Sequence, residues 1–205
     1  MFTFEQFLVD AANRGEAVNT LFEERLFDMV GILHKIADTL TAELIPYQVI
    51  SGLAVLIHVE EANPEHSILT RDVNIMVRRS DFERIRRNAV KHGFRFRHAG
   101  GVDMLIYGDT ESTRNAVHLI FSDEKALPHY PAPAPPIDPE RKLIQGKEVM
   151  VIPVVDLIRM KLTSYRDKDR VHVRNMDAAG LITPDVARTL TPELSSRLKH
   201  TRETE

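Results

Sequence analysis

Two hydrophobic spacings alternate along this chain, and the switches between them mark out its elements. Leu21, Leu26, Met29, Val30, Leu33, Ile36, Ala37 and Leu40 recur at the helical interval, predicting one long helix over residues 16–44 that Pro46 stops. A shorter helix is expected before it, over 3–13. Tyr47 to Ile50 is a brief apolar run; after Ser51-Gly52 the helical interval returns with Leu53, Ala54, Leu56 and Ile57. A polar, proline-containing loop leads to Asp72-Val73-Asn74-Ile75-Met76-Val77, where apolar and polar residues alternate as in a strand. Ser80, with Glu83 three residues on, reads as a capping box opening a helix from Asp81 to about His92, and Gly93 ends it. Phe94–His98 alternates as a strand, Gly100-Gly101 signals a hairpin into Val102–Tyr107, and Ala116–Phe121 is a further strand. Six prolines in 128–139 exclude helix and central strand, so this stretch reads as a semi-rigid extended linker. Val149–Ile152 is expected as a last short strand. Pro153 opens a helix to about Tyr165, and 168–204 reads as short helices broken at Gly180, Pro184 and Pro192.

A helix between strands is a crossover and a Gly-Gly turn is a hairpin, so the pattern predicts an α/β (α+β) fold: a mixed β-sheet flanked by helices. The expected organisation is N-terminal helices over 1–45, a mixed-sheet core over 46–152 that includes the Pro-rich stretch, and a helical region over 153–205. Composition narrows the function classes. With no cysteine, disulfides, thiolate metal sites and cysteine nucleophiles are excluded. A net charge of -3 gives no general attraction to nucleic acid or membrane, so any such affinity must come from a local patch. No apolar run approaches the roughly 20 residues of a membrane span, and a cytoplasmic location is the expectation.

Strand, small-residue turn, helix, loop, strand is an order that can hold a nucleotide. The Ser51-Gly52 turn lets a phosphate approach the backbone N–H groups that open the helix. Asp72 and Asn74, two apart on a strand, share a face and offer oxygen ligands to one divalent cation.

On these residues the chain resembles the nucleotidyltransferase (polymerase-beta-like) superfamily, in the bacterial branch of AbiEii-type toxins and minimal nucleotidyltransferases. That branch pairs a Gly-Gly or Gly-Ser turn with a Thr-x-Asp-hydrophobic-Asp strand; here stand Ser51-Gly52 and Thr70-Arg71-Asp72-Val73-Asn74. The resemblance continues through Gly146-Lys-Glu-Val149-Met-Val151, Asp156-Leu157-Ile158-Arg-Met-Lys161-Leu162 and Lys168-Asp169-Arg170-Val171-His172-Val173, covering roughly 45–178. It implies transfer of a nucleoside monophosphate from an NTP to a hydroxyl, using Mg²⁺ on clustered carboxylates. By the same resemblance Asp72, Asn74 and Lys161 are the catalytic candidates, and Ser51, Gly52, Thr70 and Asp169 the nucleotide-binding ones. Asp72, Asn74 and His118 are the metal positions.

The sequence departs from the pattern at those positions. Asn74 and His118 stand where the family has carboxylates, and His172 stands where it has a second downstream aspartate. Attraction for a divalent ion scales with ligand charge, and imidazole is a poor Mg²⁺ ligand, so weak or absent catalysis is expected. Asp103 or Asp123 are the substitutes for the lost third carboxylate. A non-catalytic nucleotide- or RNA-binding module and an antibiotic-type small-molecule transferase are the alternative readings. Arg78, Arg79, Arg84, Arg86, Arg87, Lys91, Arg95 and Arg97 concentrate positive charge within 78–97. Arg84, Arg87 and Lys91 share a helix face, as a solvated surface or as a phosphate-tracking patch. Because some toxins of the resembling branch act on transfer RNA, that polymer is the first candidate partner.

Overall fold

The computed structural model describes residues 26–68, 70, 72–108 and 116–204; the expected helix over 3–13, the start of the helix over 16–44, and Arg71 lie outside them. The first described helix, α1, runs over 26–42. Met29, Leu33, Ile36, Ala37 and Leu40 form its buried stripe, and Leu44 closes it in the left-handed conformation at φ 52°. Next come β1 (Tyr47–Val49), α2 (Ser51–Ala62), β2 (Val73–Val77), α3 (Phe82–Ala89), β3 (Phe94–Ala99), β4 (Val102–Tyr107) and β5 (Ala116–Phe121). Beyond the Pro-rich stretch follow β6 (Glu140–Ile144), β7 (Lys147–Val151), α4 (Val154–Ser164), α5 (Asp167–Ala178), α6 (Pro184–Arg188) and α7 (Pro192–Glu203).

The strands form one mixed sheet of seven, ordered β3-β4-β5-β2-β1-β7-β6. β2 runs parallel to β5 and antiparallel to β1, and β1 runs parallel to β7. α3 is the expected crossover: it leads from β2 to β3, which have the same direction because two antiparallel steps separate β3 from β5. Val73, Ile75 and Val77 pair with Val117, Leu119 and Phe121, and this face joins α1 and α2 in the main apolar core. The alternate residues, Asn74 and Met76 of β2 with His118 and Ile120 of β5, occupy the opposite face. The site is built on that second face.

Three local expectations are revised. Ser80 belongs to a 3-10 turn over Arg79–Asp81, and the N-cap of α3 is Asp81 without a side-chain cap, so the capping box does not form. β6 was not expected: its residues are mostly exposed at the sheet edge, so no apolar alternation announces it. It is tied to β7 through Gln145 and Gly146, both at positive φ, as a two-residue hairpin turn requires. The Pro-rich stretch is extended, yet it crosses the second face of the sheet as a strap. Buried Gln48 holds it there, its Oε1 accepting from Asp138 N at 3.2 Å and its Nε2 donating to the Pro136 carbonyl at 3.4 Å. Ala134 N and O pair with Glu124 O and Asp123 N at the strap's other end.

Candidate functional site

The end of β1 lies beside the start of β2, and α2 opens there. Ser51 takes the left-handed conformation at φ 66°, a strain few residues other than glycine accept. Ile50, at the N-cap position, makes no side-chain cap to the first amides of α2. Gly52 is required by space rather than by φ. A Cβ added to it would meet Thr70 Oγ1 at 2.5 Å, Thr70 Cβ at 3.0 Å and His172 Cε1 at 3.4 Å.

Two cavities adjoin this turn. The smaller, about 330 Å³, is lined by Ser51, Gly52, Ile68, Thr70, Asp72, Asn74, Lys168, Val171 and His172. The larger, about 350 Å³, runs along the second face of the sheet beneath the strap. Asn74, His118 and Ile120 form its floor, Tyr130 and Ala132–Ala134 its strap wall, and Met160, Lys161, Ser164, Arg166 and Lys168 its helical wall. Ser51, Asp72, Asn74 and Lys168 belong to both, so the two are parts of one cleft.

The helical wall is fixed by a buried charge cluster. Asp169, 0% exposed, accepts from Lys161 Nζ at 2.8 Å, Ser164 Oγ at 2.8 Å and Arg166 Nε at 2.7 Å. Burial pushes the Asp169 carboxyl up, but the hydrogen bonds from Arg166, Lys161 and Ser164 and the Lys161 charge outweigh it and hold it well below the usual carboxylate range. Lys161, 3% exposed, is lowered by burial, with Asp169 opposing. Burial, followed by the Lys161 charge, lowers the His172 imidazole to about 4, so it is neutral at neutral pH, and its buried Nδ1 has no partner among the described residues.

The candidate residues thus fall into two groups. Ser51, Gly52, Thr70, Asp72, Asn74 and His118 converge on the cleft, with Asn74 and His118 in register on adjacent strands. Lys161 and Asp169 also line it, but they are bonded to each other and stitch α4 to α5. The proposed substitute carboxylates are elsewhere. Asp103 is paired with Leu119, on the sheet face away from His118, and binds His98 Nδ1 at 2.6 Å. Asp123 follows the far end of β5, next to Ala134 rather than Asp72. Of the Arg-rich segment, Lys91 donates to Asn88 at 2.8 Å and Arg84 lies 3.9 Å from Asp81, while Arg87 is exposed. Arg166 and the strap residues were not assigned to the site from the sequence, and Lys168 entered only within the Lys168–Val173 motif; the strap's neighbours in the cleft are remote in the chain.

Among the described residues, a magnesium ion would find one carboxylate without an ion-pair partner (Asp72), one amide (Asn74) and one imidazole (His118). Among the described residues, no group of three or more His, Asp or Glu side chains is placed to hold a metal ion. That donor set does not fit Mg²⁺, which takes hard, mostly anionic oxygens.

Sheet order, the turn opening α2 and the flanking helices define a mixed-sheet α/β architecture. No family model and no curated protein matches the sequence. Solved structures do resemble the fold. An antigenic nucleotidyltransferase-like protein from Paracoccidioides brasiliensis superposes with a TM-score of 0.57 at 16% identity, over 87% of this chain and 88% of that one. ANT(2")-Ia in complex with adenylyl-2"-tobramycin superposes with a TM-score of 0.55 at 12% identity, over 85% of this chain and 97% of that one. Among the described residues, no helix is long and apolar enough to cross a membrane.

Proposed function

We propose that this chain is a nucleotide-binding protein of nucleotidyltransferase fold whose capacity for metal-dependent nucleotidyl transfer is weak or absent. The observation that carries the reading is the Gly52–Thr70 cradle at the uncapped start of α2, set against a strand that brings a single carboxylate, Asp72. Backbone amides opening a helix favour phosphate. Among the described residues the cleft offers one carboxylate without an ion-pair partner, Asp72, which is poor equipment for gathering the cations that transfer normally uses. Phosphates would lie in the smaller cavity; a base or acceptor would take the larger, partly apolar one.

Charge argues against a polycationic acceptor of the tobramycin kind. Arg166 and Lys168 line the larger cavity, and Asp169 is already neutralised by its partners. The resemblance of residues 45–178 to AbiEii-type toxins makes transfer RNA the first polymer to test, as a partner bound through the Arg-rich segment 78–97.

The experiment is thermal shift and calorimetry with each NTP, alongside incubation with labelled NTPs, Mg²⁺ or Mn²⁺ and a total RNA pool. Nucleotide binding with little or no labelling is expected, and an Asn74→Asp, His118→Asp double variant is expected to gain labelling. Robust labelling by the wild type that disappears in Asp72→Ala would establish an active transferase instead. Absence of any nucleotide binding would defeat the reading entirely.

A further inference from the structure

Lys168 sits where its own helix disfavours it. It occupies the first turn of α5, where the aligned peptide dipoles place partial positive charge. Arg166 precedes it, and Lys161 lies in the same wall. Among the described residues, Lys168 has no ion pair or hydrogen bond, although its neighbours Arg166 and Arg170 each have a carboxylate partner. Lys161, Arg166 and Lys168 are three cations around one buried carboxylate, Asp169, so the cluster keeps two positive charges. Among the described residues, Asp72 is the one other carboxylate lining either cavity. Asp167 and Asp169 share that first turn, but Asp167 pairs with Arg170 and Asp169 with Lys161 and Arg166, so the exposed Lys168 lines both cavities as a cation open to a ligand.

The ligand's chemistry follows from position. Lys168 is on the rim shared by the two cavities, across from Ser51 and Asn74, and Arg166 lines the larger one. A lysine ammonium meets phosphate as a compact point charge with three donors. Among the described residues, no group of three or more His, Asp or Glu side chains is placed in that cleft to import positive charge as a bound divalent ion.

We infer that Lys168, supported by Arg166, supplies the positive charge for a phosphate-bearing ligand, so that this cleft binds nucleotides without a divalent metal. The inference rests on the nucleotide reading above and assigns it a mode of charge compensation. Its consequence is affinity that is insensitive to magnesium but falls with monovalent salt.

The test is calorimetry with ATP, and with inorganic tripolyphosphate as the base-free probe, in excess EDTA and in excess Mg²⁺. Wild type is expected to bind ATP in EDTA at least as tightly as in Mg²⁺. Lys168→Ala, an exposed and fold-neutral change, is expected to weaken binding roughly ten- to a hundredfold, the scale of one charge-assisted hydrogen bond. Lys168→Arg should recover most of it. ATP binding that requires Mg²⁺, or that Lys168→Ala leaves unchanged, overturns the inference while the nucleotide reading stands. No binding of ATP or any other NTP in either medium overturns both.

Discussion

Asp169 is the residue on which the helical wall depends. Its carboxylate is buried and takes hydrogen bonds from Lys161, Ser164 and Arg166. Asp169→Ala leaves the Lys161 ammonium buried without a counter-charge and is expected to cost roughly 3–5 kcal/mol, measured by urea unfolding. Acid should act on the same cluster in two windows. His172 is lowered from 6.5 to about 4, so across that interval the unfolded chain takes up a proton that the folded chain refuses. Stability therefore falls as pH drops from 6.5 towards about 4. The contribution of Asp169, whose folded pKa is depressed, is present above its unfolded value of 3.8 and is lost as pH falls below it. In melting curves from about pH 7 to about pH 3, His172→Asn should flatten the upper window and leave the lower one intact.

At the level of elements, α2 packs closely against the approach to β2 at Gly52 and Thr70. Gly52→Ala sets a methyl 2.5 Å from the Thr70 hydroxyl, and a β-branched side chain has little room to turn away. The expected result is displacement of Thr70 and loss of nucleotide binding. Thr70→Gly in the same chain should restore part of it, and a double-mutant cycle in binding affinity measures the coupling. The Arg-rich element makes a separate prediction. If its exposed face tracks phosphates, replacing Arg84, Arg87 and Lys91 with Ala should flatten the salt dependence of duplex binding by up to roughly three log units per log unit of salt, at about 0.9 per contact. Stability should change by no more than about 0.5 kcal/mol. An unchanged salt slope in filter binding with duplex or transfer RNA assigns those charges to a solvated helix face.

Across the whole molecule, the strap decides the shape of the cleft. It closes the larger cavity over the second face of the sheet, and Gln48 on central strand β1 is its anchor. Gln48→Leu leaves the Pro136 carbonyl and the Asp138 amide unpaired beneath it, at an expected cost of about 1–3 kcal/mol. Limited proteolysis should then cut within the strap earlier than in the wild type, and the variant should bind nucleotide less selectively. A merely decorative strap would leave both readouts unchanged.

The elements most legible in the sequence are those whose signal is local. The stripe of α1, the alternation of β2, the Gly100-Gly101 turn and the prolines of the strap depend on neighbours two to four residues away, which composition and spacing report directly. Asp72 and Asn74 sharing a face is of this kind. β6 escaped because an exposed edge strand needs no apolar period, and Ser80 misled because a 3-10 turn took the place of its cap. What only the tertiary structure decided is which distant segments meet. Pairing register sets Asn74 beside His118 and turns Asp103 to the other face; a one-residue slip would reverse both assignments. Likewise, Gln48 draws a stretch that reads as a linker, some 88 residues on, across the sheet to become a wall. Such pairings are chosen by the burial and hydrogen bonding of the assembled chain, which no local window of residues encodes.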